Sequence, residues 1–428
     1  MRVLSFRLKF ILASLALCLV FWAAWRSHPA HVLAPFARPA TPLAASAEPV
    51  YNSRFVSSQL DDFVHSSSVT ALPGGDLMAV WFAGSREGAA DVQIRTARFD
   101  ANTTEWGAEH VLATRESTRD GTGRYIRKLG NPVIALAPDQ RLWMFYVSVS
   151  VGGWATSAIN VMVSEDLGRN WSAPRQLITS PFFNVSTLVR AAPVFHADGS
   201  IGLPVYHELM GKFSEYLYLS ADGAVIDKFR ISRGKHSLQP TIVPLDERRA
   251  VAMLRYAGDT HHRVLASRTD DAGQTWSEPY PLEPANPNSS LAAVGTADNG
   301  LLVALNDLRD GRFKLSLYGT DADLNDWRNV IELDQSPDPL GQPFAPEAYK
   351  AIIGAGFRAS SGARRLPLEQ RFLSNLDYRV CKPRGCDFEY EYPYFSRGQD
   401  GVYHLVYSWN NTFIKHVSFN EAWLAERL

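Results

Sequence analysis

Two eight-residue stretches constrain this chain more than anything else in it. Ser164-Glu-Asp-Leu-Gly-Arg-Asn-Trp171 and Thr269-Asp-Asp-Ala-Gly-Gln-Thr-Trp276 share the pattern Ser/Thr-x-Asp-x-Gly-x-Asn/Thr-Trp, and each is followed by Ser-x-Pro. Weaker copies end at Trp106 and Trp327, and a vestige lies at Ser220–Gly223. The marks recur every fifty to sixty-five residues or so, which is the period of a β-propeller blade. The physics of each mark is local. The Asp and Ser/Thr oxygens cap backbone donors in a tight turn, Gly supplies positive φ, and Trp packs between sheets. The spacing lacks the acidic positions of a calcium loop, so the marks read as structural.

Pairs of strands around Pro-x-Asp/Gly turns precede the marks: Val69–Val80, Pro132–Val147, Ala192–Pro204, Thr241–Arg255 and Leu291–Leu305, with Tyr392–Tyr407 closing the series. Six units predict an all-β, six-bladed β-propeller, because full closure protects every sheet edge. Composition agrees: 11 Trp, 29 Gly and 25 Pro, with few amphipathic helical patterns, in 428 residues. The stretch Ser336–Arg379, rich in Pro, Gly and Ala, lacks blade periodicity and reads as an insertion over about 336–379. A formal net charge of -1 without long charge runs gives no support for nucleic-acid binding.

The N-terminus reads as a targeting segment. Arg2, Arg7 and Lys9 precede an apolar run from Phe10 to Trp25. This pattern predicts a transmembrane or signal-anchor helix that leaves everything after it outside the cytoplasm, or a secreted protein if the segment is cleaved. The expected layout is 1–26 signal anchor or signal peptide, 27–49 Pro/Ala-rich linker, and 50–428 propeller. Cys18 lies in the apolar run, and Cys381 and Cys386 are predicted to pair as a disulfide in an oxidising compartment.

The stretch Val80–Ile94 holds the densest candidate chemistry. Arg86, Glu87 and Asp91 sit on a Gly- and Ala-rich loop between two strands, where small neighbours let a ligand approach closely. An arginine with two carboxylates suits an anionic or polyhydroxylated substrate and acid/base work on it. A hairpin with merely solvated charges is the alternative.

The two good marks resemble the Asp-boxes of the sialidase (neuraminidase) superfamily, whose fold is a six-bladed propeller. The resemblance spans nearly all of residues 50–418 and is closest to sialidase-like proteins described as BNR or Asp-box repeat proteins. Phe82-Ala-Gly-Ser-Arg-Glu-Gly-Ala-Ala-Asp91 and Phe413-Ile-Lys-His-Val417 are similar to that branch. By this resemblance Arg86 and Asp91 match the family's Arg and its Asp general acid. Arg255 matches the second arginine of the carboxylate-binding triad, and Arg309, with Arg312 as rival, matches the third. Tyr392, with Tyr394 second, matches the nucleophile. Two positions depart from the pattern: His65 stands where the first triad arginine is expected, and Gln239 where the glutamate base is expected. Glutamine cannot take a proton from tyrosine, which leaves Glu389 or Glu391 as stand-ins.

Three functions follow as expectations. The first is a sialidase-like exo-glycoside hydrolase on an anionic or sialic-acid-like terminal sugar, with Asp91 as acid/base and Tyr392 as nucleophile. The second is a polysaccharide lyase on a uronate, using His65 and Tyr392. The third is a non-catalytic glycan-binding propeller. The partners expected are a glycan and, through the N-terminal segment, a membrane. No metal, cofactor or nucleotide motif is apparent.

Overall fold

The computed structural model describes residues 6–27, 32–37, 46, 48–57, 63–180, 184–234, 236–361 and 381–428. Two units are distinct, 1–33 and 34–428. In the first, the expected apolar segment forms a helix, Phe6–Ser27. No helix among the described residues is long and apolar enough to cross a membrane. The expected helix is therefore present, and it is not shown to be a transmembrane span. The run from Phe10 to Trp25 falls short of the roughly 20 apolar residues that span a bilayer.

The second unit is a six-bladed β-propeller of antiparallel sheets. Blade 1 runs through Phe63–Ala71, Leu77–Gly84, Gln93–Asp100 and Glu105–Trp106, with His110–Ala113 also pairing the third strand. Blade 2 comprises Lys128–Leu136, Leu142–Val149, Ser157–Ser164 and Arg175–Gln176. In blade 3 the innermost strand is split into Leu188–Val189 and Val194–Phe195, and both pieces pair with Ile201–His207, followed by Phe213–Leu219 and Val225–Arg230. Blade 4 spans Ser237–Ala285 and blade 5 spans Ala292–Gln335, each with four strands. Blade 6 takes three strands from Tyr390–Phe419 and its outermost one, Tyr51–Phe55, from the other end of the chain, in the register Tyr51↔Phe419 to Phe55↔Lys415. That pairing closes the ring by joining strands from the two ends of the propeller in one blade.

Second strands are buried on both faces because each blade is covered by the next. All eight residues of Leu77–Gly84 and of Leu142–Val149 are buried, and both read as near-continuous apolar runs. The repeated marks lie in the turns between third and fourth strands. Asp166 Oδ1 accepts from Asn170 N at 2.8 Å, and Asp271 Oδ1 from Thr275 N at 2.8 Å. Trp171 and Trp276 donate to the carbonyls of Gly168 and Gly273. Both glycines are doubly required. Gly273 has φ +100°, and a Cβ there would sit 2.7 Å from the Tyr216 ring of blade 3. Gly168, φ +88°, would meet Met78 Sδ of blade 1 at the same distance. The marks thus fasten each blade to the one before it.

The expected insertion contains structure. Helix Pro346–Ser361 packs on blade 6 through Tyr349 and Ile353, both fully buried in the cluster that holds Phe388, Tyr390 and Trp409. It escapes a strand-period reading because the apolar spacing of a docked helix mimics no blade. The remainder, 362–380, lies outside the described residues. Cys381 and Cys386 are bonded and close a two-stranded ribbon. Within the expected linker, Phe36 is buried: its N–H donates to Glu247 O at 2.7 Å, and Ala37 N donates to Phe195 O at 2.8 Å.

Candidate active site at the propeller mouth

Each innermost strand starts at the same end of the propeller, and there most are interrupted. Register slips occur between His65 and Ser68, Gly130 and Val133, Leu238 and Thr241, and Glu391 and Tyr394. Each slip holds a residue in left-handed backbone: Ser66 (φ +54°), Asn131 (+44°), Gln239 (+49°) and Tyr392 (+55°). In blade 5 Asn288 (φ +56°) stands just before the strand. Left-handed backbone at a non-glycine residue costs roughly 1–3 kcal/mol and clusters at functional sites. Three of the bulged residues precede proline, Pro132, Pro240 and Pro393, which is tolerated because a bulge needs no ladder N–H. A bulge re-aims the side chain, and here the aim of these blades converges.

A ring of contacts results. Ser66 Oγ donates to Asn131 Oδ1 at 3.2 Å, and Asn131 Nδ2 to the Tyr206 hydroxyl at 3.2 Å. Gln239 Nε2 reaches both the Tyr206 and Tyr392 hydroxyls at 3.4 Å. Its Oε1 accepts from Arg255 Nη1 at 3.2 Å, while Arg255 Nε donates to Asn288 Oδ1 at 2.7 Å. Arg312 Nη2 donates to Asn288 O at 3.1 Å and Nη1 to the Glu391 carboxylate. His65 Nδ1 lies 3.6 Å from Glu391 Oε2, and the His65 ring is 4.4 Å from that of Tyr392. Arg190 completes the ring from blade 3, its guanidinium 4.9 Å from the Tyr392 ring centre and its Nη2 donating to the Tyr392 and Pro393 carbonyls.

The electrostatics follow from burial and these partners. Burial pushes the Glu391 carboxyl up, but Arg312, helped by His65 and Arg255, outweighs it and holds Glu391 below the usual range. Burial lowers His65 despite Glu391 and Glu87, so its imidazole is neutral near pH 7. Glu389, about a third exposed beside the mouth and accepting from Asn411 Nδ2 at 3.0 Å, is pushed up to about 7 by burial and then by the Glu391 charge. Glu208 is raised by burial, only partly offset by Arg255. Arg190 is lowered to about 10 by burial, against which the phenols of Tyr392 and Tyr394 act.

Glu389 gives a prediction with a definite sign. Its folded value lies above the usual 4.5, so its contribution favours the fold below that value and is lost as pH rises through about 7. Glu389→Gln is therefore expected to flatten the fall in melting temperature between mildly acidic and mildly alkaline buffer. An unchanged slope in thermal unfolding across that window would refute it.

The residues named from sequence fall in three groups. His65, Gln239, Arg255 and Tyr392 meet in the ring. Arg86, Glu87 and Asp91 lie exposed on the loop that joins Leu77–Gly84 to Gln93–Asp100, at the mouth end since Gly84 pairs with Phe63. Asp91 there accepts from Ser85 N and Oγ at 3.0 and 2.9 Å. Arg309 is exposed, whereas Arg312, its rival, holds the position in the ring. The two are separated by Gly311 at φ +78°, which turns the chain between them. Arg190, Tyr206, Asn288 and Asn131 were not singled out from sequence. The Asn-Pro, Gln-Pro and Tyr-Pro pairs at the strand starts were the available signal for three of the bulges.

A six-bladed propeller with charged and aromatic side chains gathered at one end of its axis is the class that fold and site define. The BNR repeat-like domain family matches residues 75–405, and the chain belongs to that family. No curated protein matches the chain. Among solved structures it is similar to a protein of unknown function from Dyadobacter fermentans (TM-score 0.61, 11% identity, covering 86% of this chain and 97% of that one). It is also similar to the intramolecular trans-sialidase of Ruminococcus gnavus in complex with oseltamivir carboxylate (TM-score 0.59, 12% identity, 91% and 100% covered). A third similar structure is Trypanosoma rangeli sialidase in complex with the inhibitor DANA (TM-score 0.56, 13% identity, 92% and 61% covered). At these identities the likeness establishes the fold.

Proposed function

We propose that the propeller is a glycoside hydrolase that releases a terminal anionic sugar, with Tyr392 as the attacking group. The observation that carries this reading is the convergence of Tyr392 with Arg255 and Arg312 in one ring at the mouth. Arg255 and Arg312 are joined through Asn288, and two guanidiniums so held offer forked donors to one sugar carboxylate. Tyr392 attacks the anomeric carbon, and a carboxyl on the rim protonates the departing oxygen. Asp91 is the acid that the superfamily pattern names, and Glu389 is the rim carboxyl whose value near 7 suits a proton donor at neutral pH.

A second reading has its own support. Neutral His65 against Tyr392 is a base beside a phenol, the pair a lyase needs to remove a proton next to a uronate and return one to the leaving oxygen. The test is a panel of sialyl, uronyl and neutral glycosides given to the full-length protein. A saturated acidic sugar as product supports the hydrolase, and an ultraviolet-absorbing unsaturated product supports the lyase. Saturable binding without turnover across the panel would overturn both.

We also propose that the propeller works outside the cytoplasm. The basic flank of the N-terminal helix and the bonded Cys381–Cys386 pair support this. A reporter active only after export, fused at the C-terminus, is expected to be active. Activity only of a cytoplasmic reporter would overturn it.

A further inference from the structure

Gln239 occupies the position from which a base would take the Tyr392 proton, and an amide cannot do so. On the other side of the same tyrosine lies Arg190. It is 2% exposed, and among the described residues its Nε and Nη1 have no hydrogen-bond partner. Its third nitrogen, Nη2, is spent on two consecutive carbonyls, those of Tyr392 and Pro393. Its guanidinium faces the rings of Tyr392 at 4.9 Å and Tyr394 at 5.8 Å. No carboxylate pairs with it in the described contacts. A buried cation without an anion is expensive, and here its surroundings are phenols and the backbone of the one bulge that carries a phenol into the mouth.

We propose that Arg190 is the positioning residue of Tyr392: it pins the left-handed bulge that aims the phenol, and its charge balances the phenol oxygen once the proton has gone to solvent water. The electron pair stays on the phenol oxygen, so neither a side-chain base nor a co-reactant is required. A cation against the ring also stabilises the ionised form more than the neutral one, since attraction to a full charge exceeds attraction to the ring quadrupole. Arg190 lies on blade 3, between Val189 and Ala191, and the same blade sends Tyr206 into the ring. The split of the innermost strand at Leu188–Val189 and Val194–Phe195 frees Arg190 from the ladder and lets it reach across to blade 6.

This inference rests on Tyr392 being the reactive group, and its test does not use turnover. Tetranitromethane attacks ionised phenols, and Tyr392 is partly exposed, so it is reachable. Tyr125, 66% exposed, serves as internal reference. Nitration of the full-length protein is read by peptide mass spectrometry as the ratio of Tyr392 to Tyr125. In Arg190→Met the ratio is expected to fall about tenfold, and in Arg190→Lys most of it is expected to remain. Melting curves establish that each variant is folded, and Arg190→Gln takes the place of the Met variant should that one fail to fold. A ratio unchanged or raised in a folded, uncharged variant overturns the proposal, because a purely structural arginine would alter melting and leave the ratio alone. A Tyr392→Phe protein with full turnover would instead defeat the functional reading while leaving the nitration result intact.

Discussion

Tyr392→Phe is expected to lower turnover of the identified substrate by at least about a thousandfold, the scale on which nucleophile removal acts. The fold should be nearly untouched. The phenylalanine ring keeps its place against His65 and Arg190, and the hydroxyl loses only one long bond of 3.4 Å from Gln239. A stability change under about 1 kcal/mol is the expected consequence. Substrate binding should survive as well, since Arg255 and Arg312 remain. Initial rates and binding isotherms on the same preparation check this. A variant that turns over at the wild-type rate would remove tyrosine from the chemistry under both the hydrolase and the lyase reading. The nature of the product would still separate those two, because only elimination leaves a double bond in the sugar.

The second large effect concerns stability. Glu391 is 5% exposed and bonded to Arg312, with His65 and Arg255 close enough to act on its charge. Truncation to alanine leaves the half-buried Arg312 without its carboxylate, near another guanidinium, and is expected to cost about 1–3 kcal/mol. Pairing the change with Arg312→Met should recover much of that loss, since an uncompensated charge is worse than no charge. The pH dependence has a fixed sign. Glu391 is held below the usual 4.5, so its stabilisation is present above that value and is lost as pH falls through the folded one. Acidification should therefore narrow the gap between the wild type and Glu391→Ala. Urea unfolding at neutral and acidic pH measures both. A truncation that costs nothing at neutral pH would show that the ring is held by its amides and not by this pair.

Glu391 and Tyr392 are adjacent, and the bulge sends one to a salt bridge and the other to the mouth. The same kind of slip in blades 1, 2 and 4 turns Ser66, Asn131 and Gln239 to the axis. A ladder in regular register would alternate faces, and a one-residue slip flips every side chain beyond it. The bulges thus select which residue of each strand start takes part in the site. Neutral amides and hydroxyls share this ring with its charged members, which suits a polyhydroxylated ligand with one charged group.

Local pattern sufficed for the blades. The spacing of the turn marks, the apolar second strands and the capping oxygens of Asp166 and Asp271 are all written within a few residues of where they act. The ring members anticipated from sequence, His65, Gln239, Arg255 and Tyr392, with Arg312 and Glu391 as alternatives, came from the resemblance to the sialidase superfamily and not from the repeat period. Other features needed the closed ring. Tyr51–Phe55 joins blade 6 only because the chain returns to its start. Helix Pro346–Ser361 reads as an unstructured insertion until blade 6 is present to bury Tyr349 and Ile353. Arg312 replaces Arg309 through the turn at Gly311, and Arg190 reaches Tyr392 across 202 residues of sequence. Repeat-local chemistry is legible because its partners are neighbours in the chain. The site is not, because it is assembled on the propeller axis, where residues from all six blades become neighbours only after the sheets have closed.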